Sequence, residues 1–107
     1  MTPPASAGAG SPTPQQVSDE LRRVVERWHQ LPLDHALSCM PSVRAVVQQL
    51  ADRVAGERGL ASQEVPDLGP AVVMHQLAVM VHDLFSTRPG TDAAEVAADL
   101  AGIRRTL

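Results

Sequence analysis

Residues 70–85 read PAVVMHQLAVMVHDLF and carry one formal charge, Asp83. No other stretch of the chain is so apolar. A helix of this composition is greasy over most of its circumference, so other helices, a second copy or both must enclose it. Met80, Val73, Leu84, Leu77, Val81, Met74, Phe85, Ala78 and Ala71 cover about half of the wheel. His75, His82 and Ser86 fall on one flank and Gln76 and Asp83 on the other, with Val72 and Val79 between them.

The neighbouring segments repeat the pattern more weakly. Thr13-Pro14-Gln15-Gln16 reads as a helix start, with Thr13 as cap, Pro14 at the first helical position and Gln16 reaching back as in a capping box. Val17, Leu21, Val24, Val25, Trp28 and Leu31 then form a stripe, and Pro32 closes it. Asp19–Arg23 and Arg22–Glu26 are spaced as ion pairs on its outer side. Asp34 can cap a short turn carrying Leu37 and Met40, bounded by prolines. A second long helix is expected over residues 42–57, with Val43, Val46, Val47, Leu50 and Val54 inward and Gly59 as its stop. Residues 59–69 form the main internal loop, punctuated by Pro66 and Gly69. Asp92 and Glu95 open a last helix with Val96, Leu100, Ile103 and Leu107 inward and Arg104 and Arg105 near its end.

The expected fold is therefore all-α: a small bundle of four main helices over residues 14–30, 42–57, 70–86 and 92–106, plus one short helical turn. Residues 1–12 are Pro, Gly, Ala and Ser with no apolar anchor after Met1, and read as a disordered tail before a single domain over residues 13–107. The 107-residue chain suits one domain. Its only aromatics are Trp28 and Phe85. The core must then come from Val, Leu, Ala and Met, which bury less area each, and a domain built this way gains from burying more surface in an oligomer.

Composition narrows the function classes. All nine basic residues are Arg, and Lys and Asn are absent, the bias expected of a GC-rich bacterial genome. The net charge is −3 with both signs scattered, which gives no support for phosphate-tracking DNA binding. Cys39 is the sole cysteine, so no intrachain disulfide forms. No secretory leader pattern and no membrane-length apolar run is present, and a cytoplasmic location is expected.

Candidate chemistry is sparse. His35 and Cys39 are four residues apart, and with His29, His75 or His82 they could assemble zinc only across helices, without the usual paired spacing. No nucleophile elbow, Cys–His signature or phosphate-binding glycine loop occurs. Asp34-His35 and His82-Asp83 are sequence neighbours whose side chains diverge on a helix. A phosphopantetheine carrier would need serine after Asp34, where His35 stands. No enzymatic activity, cofactor or metal is expected.

Three readings of function remain. The first is a protein–protein interaction module, a homodimer or a complex with another protein, through Val72, His75, Gln76, Val79, His82 and Asp83. The two valines sit at heptad spacing with a polar rim, as in a short helix–helix seam. Facing histidines would repel when protonated, so association should weaken on acidification. The second is a DNA-binding regulator, in which residues 34–38, a Cys39-Met40-Pro41 corner and residues 42–57 make a helix-turn-helix presenting Ser42, Arg44, Gln48 and Gln49. The third is a helical bundle holding a small ligand or metal.

Overall fold

The computed structural model describes residues 11–107. Four helices make up the fold: α1 over Gln15–His29, α2 over Leu33–Glu57, α3 over Val73–Thr87 and α4 over Ala93–Thr106, with no strand among the described residues. The fold is an all-α bundle. Of the expected tail, residues 1–10 lie outside the described residues, and Ser11 and Pro12 are exposed.

The main departure from expectation is at Pro41. The separate turn and the 42–57 helix are one 25-residue helix, α2, with Pro41 inside it. Proline cannot donate to the carbonyl four residues back and crowds it. Here that carbonyl belongs to Leu37, and Leu37 and Pro41 both lie on the solvent side, where water can satisfy the freed oxygen. Meanwhile Ala36, Met40, Val43 and Val47 are buried and hold the helix to the core on both sides of the proline. Packing thus overrides the local breaker. Of the two apolar residues of the expected turn, Met40 is buried and Leu37 is 50% exposed.

The helix ends also differ in detail. Pro14 occupies the N-cap of α1 and no side chain caps it. Thr13 therefore stands one residue too early to reach the free N–H groups, and the Thr13–Gln16 capping box does not form. The ion pairs of α1 form at i,i+3: Arg22 to Asp19 at 3.1 Å and Arg23 to Glu20 at 3.3 Å. At α4 the expected cap is present, with Asp92 accepting from the backbone N–H groups of Ala94 and Glu95. The reciprocal half is absent, because Glu95 points to Arg53 at 3.8 Å.

Gly59 ends α2 as the sequence suggests. Its φ of +69° is open to glycine at little cost. Leu60 N–H then reaches the Ala55 carbonyl and Gly59 N–H the Gly56 carbonyl, closing a Schellman motif that turns the chain back.

That reversal sets the topology. Arg58 donates to Thr87 Oγ1 at 3.1 Å, and Arg88 pairs with Glu57 at 2.8 Å. The C-terminal ends of α2 and α3 are thus side by side, so the two helices run in the same direction. Residues 58–72 must return the chain along α2 before α3 can begin. The most extensive helix–helix contacts are between α2 and α3 and between α1 and α4.

The core takes Val17, Val24 and Trp28 from α1, Val43, Val47, Leu50 and Val54 from α2, Val73, Met74, Leu77, Val81, Leu84 and Phe85 from α3, and Val96, Leu100 and Ile103 from α4. Polar ties fasten its margins. Trp28 Nε1 donates to the Pro70 carbonyl at 3.0 Å. Arg27 donates to the Leu107 carbonyl at 3.1 Å, and His35 Nε2 lies 3.1 Å from the same oxygen. Buried Glu20 receives Arg104 on one carboxylate oxygen at 2.5 Å and Arg23 on the other.

Two outcomes follow from this packing. Phe85 is fully buried, and Phe85→Ala should cost about 3–5 kcal/mol by chemical denaturation. The hydrogen bond from Arg104 holds the Glu20 carboxyl below its ordinary value of 4.5, against the opposing effect of burial. A depressed carboxylate stabilises the fold above its unfolded pKa, and that contribution is lost as pH falls through the folded value. The wild type should therefore lose thermal stability below pH 4.5 more steeply than Glu20→Gln. Parallel acid profiles of Tm for the two proteins would show that the ion pair contributes nothing.

Candidate protein-docking groove

The outer side of α3 faces a groove of about 650 Å³. Its floor and walls are Val54 and Ala55 of the C-terminal half of α2, Leu60 and Val65 of the returning chain, and Val79 and Met80 of α3. Arg58, Glu64, His75, Gln76 and Asp83 supply its polar lining. Apolar floor and polar margin arise from one cause: α3 is greasy beyond the half that the bundle covers, and the returning chain covers only part of the rest.

The structure divides the residues expected at an interface. His75, Gln76, Val79 and Asp83 come together along the groove. Val72 and His82 do not line it. Val72 is the half-buried N-cap of α3, inside the turn where its N–H bonds the Gly69 carbonyl. His82 is exposed, with Nδ1 3.7 Å from Asp83 Oδ1, so these neighbours approach more than a diverging pair would. Val79 is 37% exposed and Leu60 63% exposed, and together they put apolar surface at the groove mouth.

The wall made by the returning chain is a strap, residues 60–68, without regular secondary structure. Pro66 disfavours a helical backbone at Val65, and the hydrogen bonds are those of an extended segment. Gln48 Nε2 donates to the Gln63 carbonyl at 2.9 Å while Gln48 Oε1 accepts from Val65 N–H at 2.8 Å. Arg44 donates to the Val65 carbonyl at 3.3 Å and lies 3.8 Å from the Asp67 carboxylate. From the other side, Gln76 Nε2 donates to the Pro66 carbonyl at 3.0 Å. The half-buried Val65 side chain packs against the core.

Of the four residues that the DNA-binding reading would aim at bases or phosphates, Ser42 and Gln49 are exposed, and the other two are Arg44 and Gln48. They are engaged with the strap, and the corner that reading requires is absent, since α2 runs unbroken through residues 39–41. Their sequence signal was ambiguous: Arg and Gln at i,i+4 serve a nucleic-acid edge and a peptide backbone equally well, because both present paired donors and acceptors.

His35 and Cys39 do come together, with Sγ 3.7 Å from Nε2. Cys39 is half-buried beside the core. Among the described residues no group of three His, Cys, Asp or Glu side chains is placed to hold a metal ion. No described helix is long and apolar enough to cross a membrane. No protein-family model, curated protein or solved structure matches this chain.

Gln48 makes both of its strap bonds from one amide, so Gln48→Ala should release the strap without unfolding the bundle. The expected loss is about 1–2 kcal/mol. Hydrogen exchange at Val65 N–H should speed by about tenfold or more, while exchange in α3 stays slow. Unchanged protection at Val65 would mean that the clamp does not hold the strap.

Proposed function

We propose that this chain is a non-enzymatic association module that binds protein through the groove beside α3. The observation that carries the reading is the groove itself: an apolar floor with a polar margin, open on the side that the bundle leaves uncovered. Surfaces of this make-up suit helix-in-groove or segment-in-groove recognition, where a few apolar anchors enter and polar residues fix register. The module is proposed to work in the cytoplasm, in keeping with a lone cysteine. The first partner to test is a second copy, meeting at Val79 and its flanking His75, Gln76 and Asp83.

Two features favour association over DNA binding. The net charge is −3, and Arg44 and Gln48 are occupied by the strap. A small-ligand reading draws support from the volume of the groove, which lies in the range of about 300–1,000 Å³ typical of ligand sites. The open mouth and its exposed Leu60 favour the larger occupant.

Sedimentation velocity of the wild type and of Val79→Glu tests self-association. The wild type should be dimeric at tens of micromolar, and Val79→Glu should be a folded monomer, because Val79 is too exposed for its loss to unsettle the core. A monomeric wild type under those conditions refutes self-association.

A further inference from the structure

The strap is bound as a ligand peptide would be. In an extended chain the N–H and C=O of one residue point to the same edge, and residues two apart share that edge. The Gln63 carbonyl and both backbone groups of Val65 therefore lie on one edge, and they meet Gln48 and Arg44 of α2. The Pro66 carbonyl lies on the other edge and meets Gln76 of α3. Both edges of one extended segment are read, each by a different helix. Only Val65 enters the core, while Ser62, Gln63, Glu64, Pro66 and Asp67 are exposed. Recognition is thus of backbone, with side-chain selectivity concentrated at one position.

One of the reading side chains also has a partner outside the strap. Gln48 Nε2 also donates to Asp52 on the same helix at 2.9 Å, which orients the amide from within α2. All three reading side chains stand on helices that supply core residues. The adjoining groove gives a longer segment room to continue past the Val65 position.

We propose that the cleft between α2 and α3 is a binding site for an extended peptide carrying a small branched apolar residue followed by proline, and that residues 62–67 occupy it in cis. This rests on the association reading and names the partner segment. The strap is then a tethered competitor. A peptide in trans must contend with an effective concentration on the order of millimolar for the strap, so the site opens fully only to a partner with further contacts in the groove, or when the strap is weakened. Alternating side chains on the peptide would face solvent and tolerate any polar residue, while the valine position would reject charge.

The test uses the nonapeptide LASQEVPDL, residues 60–68 with blocked ends, titrated into the full chain and followed by NMR. The receptor carries Val65→Ser and Pro66→Gly, which weaken its own strap. The side-chain amides of Gln48 and Gln76 should shift saturably. Affinity should exceed that for the wild type by about tenfold, the advantage of removing the tethered competitor. The same peptide with aspartate in place of valine should not bind. Absence of saturable shifts in a folded receptor overturns the proposal, as does binding that Gln48→Ala leaves unchanged. If the strap variant unfolds, the wild type carries the test at millimolar peptide, and unmoved Gln48 and Gln76 amides overturn the proposal there. The result is separable from the sedimentation test. Peptide binding lost with Val79-dependent association intact sinks this inference alone. Peptide binding intact in a monomeric protein leaves it standing while self-association falls.

Discussion

Two parallel helices cannot be joined by a tight turn. α2 and α3 lie side by side with their C-terminal ends together, tied by Arg58 to Thr87 and by Arg88 to Glu57. The chain must therefore travel back by the length of α3, about 22 Å at 1.5 Å per residue, before α3 can start. Residues 58–72 make that return. A return segment lying on an apolar valley brings polar backbone with it, and backbone groups taken from water need partners. Gln48, Arg44 and Gln76 supply them. The strap, its clamp and the groove beside it all follow from one topological choice.

How much of α3 is left for the return segment to cover depends on how the core is built. With Phe85 as the one phenylalanine and no tyrosine, the interior is filled mainly by short aliphatic side chains. Such side chains must be closely enclosed to exclude water, because each contributes little buried area. α3 supplies six of the buried residues and sits against both α2 and α1. Four helices of this size leave part of its outer face uncovered. The strap covers a portion with Val65, and Val79 and Met80 border what is left.

The parts of this arrangement legible in the sequence were those written in helical periodicity. The stripes of α1, α3 and α4 and the cap at Asp92 are local signals, and they match the helices found. Pro41 was misleading because its cost is local while the packing that overrides it is not: Met40 and Val43 meet their partners only after the chain has folded back. The cap at Thr13 failed by one residue, a displacement that no propensity resolves. Gln76, His75, Val79 and Asp83 lie at the edge of a greasy face on a helical wheel, and the structure gathers them along one groove. Val72 was not separable from them on a wheel, since the wheel does not show that the helix begins at Val73. The other wall of the groove was invisible. Leu60 and Val65 sit in a loop whose sequence shows only punctuation, and its docking depends on side chains 10 to 21 positions away.

Clamping by side chains differs from pairing by strands in a way that bears on function. A strand in a sheet is held by a ladder of backbone bonds that form and break together. The strap is held by three side chains and one half-buried valine, each worth little alone, so its release exposes few groups and leaves the four helices in place. Water can satisfy the released backbone, because most of the strap is already at the surface. What release uncovers is less easily satisfied: the apolar valley under Val65. A surface that is costly to leave open and cheap to vacate favours exchange of one occupant for another over permanent exposure. On that balance the same contacts that let a small aliphatic core tolerate a parallel helix pair also supply the proposed peptide site.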